Sequence, residues 1–194
     1  MRLNPTKCHF GVSLRKFLSF MISQRGIEAN PKKIKAMIDM EMPKTQKDIQ
    51  SLTGRVVALT RFISKATDKC MLFFKALKGG KQHITWSAEC YKAFQDLKNY
   101  RSRAPLLSKP FPEEVLFIYL SVSSTVVSSV LIRKPEKAEL PIFYVSKALQ
   151  SAELWYPPLE QLALALVIST RRLRPYFQAH EITILTNQPL RQVL

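Results

Sequence analysis

The sequence changes character at a proline-rich stretch, residues 104–112, and this break constrains the fold more than any other feature. Before the break, apolar residues recur at helical spacing. The clearest stripe comprises Ile49, Leu52, Val56, Leu59, Phe62 and Ile63. After the break, β-branched and aromatic runs predict strands. They cover residues 115–122, 126–133, 141–146 and 181–186. One amphipathic helix precedes the last strand, with an apolar face of Leu159, Leu162, Ala163, Leu166 and Val167. The expected fold class is therefore α+β or α/β, with a helical part followed by a sheet.

The start of the chain predicts a basic β-hairpin. Two apolar-rich runs cover residues 7–12 and 16–23, and Gly26 is expected at the exit from the second run. Asn30 followed by Pro31 is typical of a helix start, because Asn caps the helix and Pro suits its first position.

Further helices are predicted along the rest of the first part. Thr45 and Asp48 resemble a capping box, with Asp in place of the usual Glu. A helix over residues 71–77 and another that starts after Ser87 complete this part.

Charge divides at the same break as the hydrophobic pattern. The chain carries a net charge of +16, and residues 1–110 hold 22 Lys or Arg against 7 Asp or Glu. Residues 111–194 hold 8 against 7 and are nearly neutral. A basic segment of this kind predicts a polyanionic partner, either nucleic acid or an acidic membrane surface.

Targeting signals give no support to a membrane or secreted protein. The start has no apolar core of a signal peptide, and no uncharged run approaches the roughly 20 residues of a membrane span. The cysteines, Cys8, Cys70 and Cys90, form neither a disulfide framework nor a metal-binding pair. We therefore expect an intracellular protein, cytoplasmic or nuclear, without a membrane partner.

Short stretches in a fixed order resemble one family. They are Leu-Asn-Pro-Thr-Lys-Cys-His-Phe at 3–10, Phe-Leu-Ser-Phe at 17–20, Gly-Ile-Glu-Ala-Asn-Pro-Lys-Lys-Ile at 26–34, Leu-Thr-Gly-Arg at 52–55, Arg-Phe-Ile at 61–63 and Tyr-Val-Ser-Lys-Ala-Leu at 144–149. Together they cover nearly the whole chain, which resembles Ty3/gypsy-type retrotransposon Pol polyproteins of plants.

The resemblance implies a layout in three parts. Residues 1–30 match the end of the reverse transcriptase palm, residues 31–104 its thumb and linker helices, and residues 105–194 a truncated RNase H-like domain. The primer-grip-like residues are Phe17, Leu18, Ser19 and Phe20, although the family usually has Gly where Ser19 stands. The expected architecture is a hairpin and a short-helix, thumb-like region followed by a mixed sheet with a helix.

The parent polyprotein that the chain resembles is an RNA-directed DNA polymerase with RNase H-type activity. Both activities require clustered carboxylates that hold Mg²⁺ ions. The chain contains no Asp-Asp pair and no Asp after Asp96. The resemblance matches the three RNase H carboxylate positions to Ser121, Leu162 and Asn187, with Glu160 as the one nearby substitute. We therefore expect no enzyme activity and no cofactor for this chain alone.

Nucleic-acid binding is the function that the sequence favours. The candidate contacts are Lys32, Lys33, Lys35, Lys44, Lys47, Arg55, Arg61 and Lys65, with Lys69 beside them. The leading hypothesis is a reverse transcriptase fragment that binds an RNA–DNA hybrid, with the remainder of the polyprotein as a second partner. The alternative is a free-standing basic nucleic-acid-binding or domesticated structural protein. An active nuclease is disfavoured by the missing aspartates.

Overall fold

A computed structural model describes residue 11 and residues 13–17, 20–77, 87–102, 106–136 and 138–192. We call residues 11–102 the basic region and residues 106–192 the sheet region. Among the described residues, no helix is long and apolar enough to cross a membrane.

The basic region begins with three antiparallel strands rather than a hairpin. They are β1 (Leu14–Phe17), β2 (Phe20–Ser23) and β3 (Gly26–Ala29), paired in that order. The predicted strand at residues 7–12 lies almost entirely outside the described residues, and the run at residues 16–23 is divided between β1 and β2. Gly26 opens β3 instead of ending the sheet, and Ile27 exchanges two backbone hydrogen bonds with Leu107, at 2.9 and 3.0 Å.

Gly26 cannot carry a side chain. Its φ is +142°, and an added Cβ would lie 2.0 Å from the carbonyl oxygen of Leu107. This close approach ties the first sheet to the segment that leads into the sheet region.

In the part of the chain that the structure describes, four helices follow the first sheet: α1 (Pro31–Ile38), α2 (Gln46–Val57), α3 (Ala66–Leu77) and α4 (Ala88–Ser102). Two predicted starts are confirmed, because Asn30 caps α1 and the capping box between Thr45 and Asp48 is formed. Ser87 also accepts a hydrogen bond from the backbone N–H of Cys90. The helix expected over residues 71–77 begins earlier, at Ala66.

One apolar cluster holds the helices together. All six residues of the predicted stripe are buried within it. The stripe continues past α2 because a 3₁₀ turn (Thr60–Phe62) carries Phe62 inward, where its ring meets that of Phe20 at a centroid distance of 5.7 Å. The cluster also reaches Tyr144 of the second sheet.

The sheet region has a mixed sheet with its helix on one face. Its elements are β4 (Leu116–Val122), β5 (Val126–Arg133), β6 (Leu140–Ala148), α5 (Pro158–Arg172), α6 (Arg174–Ala179) and β7 (Ile182–Leu185). The strand order is β6-β5-β4-β7, with β7 parallel to β4 and the other pairs antiparallel. Short α6 was not predicted, and Val167, assigned to the apolar face of α5, is 38% exposed.

The basic region packs against the face of the second sheet that α5 leaves open. The backbone N–H of Thr67 donates to Ser146 Oγ at 3.2 Å, and Ser123 Oγ donates to Asp68 Oδ1 at 3.1 Å. Arg61 Nη2 donates to the Tyr176 hydroxyl at 3.2 Å. The two regions therefore contact each other at the 3₁₀ turn and at the start of α3, as well as through Ile27 and Leu107.

Candidate nucleic-acid interface and the cleft of the second sheet

The predicted basic residues of α1 and α2 lie on the protein surface. Lys32 and Lys35 are exposed on α1, and Lys33 is half-buried beside them. Lys44 and Lys47 are exposed at the start of α2. A short connection, residues 39–45, separates α1 from α2.

These lysines are not used to balance internal carboxylates. Within the described residues, Lys32, Lys33, Lys35 and Lys47 form no ion pair. Lys44 lies near Asp48, where hydrogen bonds from the Thr45 side chain and from the backbone N–H groups of Lys44 and Thr45 lower the pKa of the Asp48 carboxyl. The α1–α2 surface therefore presents an excess of positive charge to solvent.

Arg55 lies at a groove between α1 and α2. Its Nη1 donates to the carbonyl oxygen of Ala36, which joins the C-terminal half of α1 to α2. Lys33, Gly54 and Ala58 line the same groove, which encloses about 320 Å³. Arg55 is thus hydrogen-bonded within the protein, whereas Lys33 forms no ion pair among the described residues.

Arg61 is half-buried, and its side chain contacts the sheet region. Its guanidinium lies over the ring of Phe143 at 4.4 Å and bonds to Tyr176, and its Nε is buried with no partner within the described residues. From the sequence, Arg61 is predicted to contact nucleic acid because it lies in the same basic segment as the other candidate cations. In the structure the guanidinium lies against aromatic rings at the interface of the two regions, and its contact with nucleic acid stays a prediction.

The remaining sequence candidates fall into two groups. Lys65 is exposed and precedes α3, and Lys69 lies on α3. Of the primer-grip-like residues, Leu18 and Ser19 lie outside the described residues, and nothing is described of the Phe17 side chain. Phe20 packs against the apolar cluster of the basic region.

A cleft of about 840 Å³ opens at the end of the second sheet where β4, β7 and the start of α5 meet. Because β4 and β7 are parallel, their carboxyl ends lie side by side. Ser121, Leu162 and Asn187, which are far apart in sequence, all line this cleft. The topology thus brings the three predicted positions together.

Comparison with known proteins identifies the sheet region. A family described as the RNase H-like domain found in reverse transcriptase matches residues 86–184. The chain belongs to this family. The match begins upstream of the domain boundary predicted at residue 105 and includes α4.

Curated relatives are longer polyproteins. The retrovirus-related Pol polyprotein from transposon 297 of Drosophila melanogaster is 29% identical over 192 residues, which are 98% of this chain and 18% of the polyprotein. The transposon Tf2-3 polyprotein of Schizosaccharomyces pombe is 24% identical over 178 residues, 91% of this chain and 13% of that protein. The chain therefore spans less than a fifth of either relative.

Solved structures share the fold. A foamy viral protease-reverse transcriptase in complex with double-stranded DNA has a TM-score of 0.73 and 20% identity, over 92% of this chain and 32% of that chain. The same enzyme in complex with an RNA/DNA hybrid also gives 0.73, over 89% and 23%. The predicted fold class, a small antiparallel sheet with helices followed by an RNase H-like mixed sheet, is confirmed.

The cleft of this RNase H-like domain does not fit a pair of magnesium ions. Mg²⁺ requires oxygen ligands and is usually held by carboxylates. The cleft lining contributes a hydroxyl at Ser121, an alkyl group at Leu162 and an amide at Asn187, and none of its described residues carries a carboxylate. Within the described residues, no cluster of three His, Cys, Asp or Glu could hold a metal ion.

Lys134 lies at the edge of the cleft in a polar triad that the sequence did not reveal. Its Nζ is 2.8 Å from Glu139 Oε1 and 3.1 Å from the Tyr119 hydroxyl, which itself donates to Glu139 at 2.8 Å. The hydrogen bonds to Glu139 and then to Tyr119 raise the pKa of Lys134, and the bond from Lys134 lowers the pKa of Glu139. Sequence spacing could not show this group, because Tyr119 lies on β4 whereas Lys134 and Glu139 lie in the connection between β5 and β6.

Proposed function

We propose that this chain is a nucleic-acid-binding part of a Ty3/gypsy-type retrotransposon Pol polyprotein, and that it binds RNA–DNA hybrid duplexes without cleaving them. The observation that carries the proposal is the α1–α2 surface, where Lys32, Lys33, Lys35 and Lys47 have no ion-pair partner among the described residues. Its foamy viral structural neighbours are complexes with double-stranded DNA and with RNA/DNA hybrid, which supports a duplex as the partner.

Binding of this kind depends on salt, because each neutralised phosphate releases counterions. We expect the affinity for an RNA–DNA hybrid to fall steeply as salt rises, with little dependence on sequence. Replacing Lys32, Lys33 and Lys35 together by Gln should weaken binding and flatten the plot of log affinity against log salt by up to about three. The measurement is fluorescence anisotropy of a labelled hybrid at several salt concentrations.

The sheet region offers a matched control for this experiment. Arg171, Arg172 and Arg174 are also three exposed cations close together in sequence, at the end of α5 and the start of α6. Their replacement by Gln removes the same charge and should leave the salt slope nearly unchanged. Equal effects of the two triple variants would refute the α1–α2 surface as the site and leave only a response to net charge.

The second part of the proposal is that the RNase H-like domain does not cleave RNA. A two-metal mechanism needs carboxylates to hold both ions, and Ser121, Leu162 and Asn187 offer none. Incubation of the purified chain with a labelled hybrid in Mg²⁺ or Mn²⁺ should give no RNA fragments. Cleavage that co-purifies with the chain and is altered by Asn187→Ala would refute this part without affecting the binding result.

A free-standing structural protein is the remaining alternative. It predicts a folded chain whose affinity for the hybrid is no higher than that of the triple-Gln variant. The same titration therefore separates the two functions.

A further inference from the structure

A second, smaller cavity lies between the two regions, on the face of the sheet that α5 does not cover. It encloses about 110 Å³ and is lined by the Ser64–Lys65 turn and by residues of β4, β5 and β6. This is the space of roughly three or four water molecules. A compact group with several oxygen atoms could occupy it.

Three serines form a row across the strands, and two of them, Ser121 and Ser128, line this cavity. The pairing registers place Ser121 of β4 opposite Ser128 of β5, and Ser128 opposite Ser146 of β6. Side chains that face one another in this way have Cβ atoms about 4.5–5.5 Å apart. The row therefore presents three hydroxyl groups side by side toward the start of α3.

Only one end of the row is engaged. Ser146 Oγ accepts the backbone N–H of Thr67. Ser128 is 8% exposed and lines the cavity, and its hydroxyl has no hydrogen-bond partner within the described residues. The half-buried Ser121 hydroxyl is also without one there. Polar groups of a folded protein are normally paired with protein or with solvent, so these two hydroxyl groups are available to a ligand or to ordered solvent in the cavity.

The charge around the cavity favours an anion. Lys65 lines it, and the bond from Thr67 to Ser146 shows that the N-terminal end of α3 faces the serine row. Helix N-termini attract negative charge. Asp68 is the opposing charge nearby; it accepts a hydrogen bond from Ser123 and does not line the cavity.

We propose that the cavity formed by Lys65, Ser121 and Ser128 binds a phosphate group. Either inorganic phosphate or a backbone phosphate of a nucleic acid could supply that group. Lys65 provides the positive charge, and the Ser121 and Ser128 hydroxyls donate to the phosphate oxygens.

The first experiment uses the full chain and inorganic phosphate. Amide chemical shifts of Ser121 and Ser128 are followed by NMR during titration, against chloride at the same ionic strength. Saturable, phosphate-specific changes are expected, and they should weaken in Ser128→Val and in Lys65→Gln. Asp68→Asn should tighten binding, by up to about fivefold for an exposed charge effect. If Ser128→Val does not fold, Ser121→Ala replaces it as the test of the hydroxyl row.

The second experiment distinguishes the sources and rests on the proposed function. With an RNA–DNA hybrid, Lys65→Gln should reduce the salt slope by about one if the site takes a backbone phosphate. An unchanged slope beside saturable phosphate binding assigns the site to free phosphate. A chain that takes up phosphate but binds no hybrid overturns only the proposed function. Absence of both saturable phosphate binding and a slope change would overturn the phosphate site, whether or not the hybrid binds elsewhere.

Discussion

The basic region and the sheet region use their charged residues in different ways. In the sheet region, several cations are paired: Arg133 Nε is 2.8 Å from Glu114 Oε1, and Lys147 Nζ is 2.7 Å from Glu153 Oε1. In the basic region, the described lysines of α1 lie on the surface without such partners. The α1 lysines are therefore not needed for the fold of the basic region, whereas the paired cations of the sheet region contribute to its structure.

Arg61 is a cation of the basic region that, like the paired cations of the sheet region, makes contacts within the protein. It belongs to the basic region by sequence, but its guanidinium is held by Phe143 and Tyr176 of the sheet region. Its position shows that the interface between the regions depends on a cation enclosed by aromatic rings, while apolar packing extends across the same interface through Tyr144.

The substitution with the largest expected effect, Phe62→Ala, tests whether the two regions unfold as one unit. Phe62 is 1% exposed, and its 3₁₀ turn packs against β6. Phe62→Ala should lower the free energy of unfolding by about 3–5 kcal/mol, because a large buried ring leaves a cavity. Chemical denaturation followed by circular dichroism measures it.

The control for Phe62→Ala is Tyr91→Ala, which truncates an aromatic residue that is 51% exposed. Its effect should stay within about 0.5 kcal/mol. Hydrogen exchange then tests the coupling: protection should fall on β5 as well as on α2. Loss of protection confined to α2 would show that the regions unfold independently.

The next effect tests the role of charge in the sheet region. Arg133 is 8% exposed and contacts Glu114, the carbonyl oxygen of Lys109 and the ring of Phe111. Arg133→Ala should cost about 2 kcal/mol, less than for a fully buried pair because Glu114 retains some solvent contact. Lys32→Ala, which removes an equal charge from α1, should leave the thermal midpoint unchanged. Equal losses would contradict the comparison.

Much of the fold follows from local sequence signals. The start of α2 is set by Thr45 and Asp48, and β5 agrees with the predicted residues 126–133, since both features depend on neighbours in the chain. Local sequence signals did not predict the features that depend on contacts between distant parts of the chain. Gly26 reads as a strand exit, but its missing side chain is required by Leu107, 81 positions later in the chain.

The candidate site also has some features that the sequence predicts and others that depend on the tertiary fold. The surface position of the α1 lysines is predictable, because Lys32, Lys33 and Lys35 follow one another with no carboxylate between them to pair with. The enclosure of Arg61 was not predictable, because Phe143 and Tyr176 reach it only through the tertiary fold. The serine row at Ser121, Ser128 and Ser146 also depends on strand register, which no single stretch of sequence specifies.

A double-mutant cycle measures the energetic coupling between the two regions, and its expected effect is smaller. Arg61→Ala and Tyr176→Phe, alone and together, form a double-mutant cycle for the hydrogen bond of 3.2 Å between them. We expect a coupling energy of about 1 kcal/mol, typical of one intramolecular hydrogen bond. The free energies come from urea denaturation. A coupling near zero would mean that stacking on Phe143 alone holds Arg61.

The smallest effect is the acid sensitivity of one carboxylate in each region. Hydrogen bonds, first from the Thr45 side chain, lower the pKa of Asp48, whereas the bond from Lys147 is the main cause of the lowered pKa of Glu153. A carboxyl with a lowered folded pKa stabilises the protein above its unfolded pKa and loses that contribution as pH falls through the folded value. Asp48→Asn and Glu153→Gln should therefore destabilise the chain at pH 7, and their stabilities should converge with that of the unmodified chain well below roughly pH 4.

The two carboxylates should also differ in how salt changes their contribution to stability. Screening weakens an exposed ion pair more than a helix cap, so 1 M NaCl should reduce the effect of Glu153→Gln more than that of Asp48→Asn. Thermal melts across pH, at low and high salt, provide the measurement, and equal salt responses would show that the two carboxylates are held by the same kind of interaction.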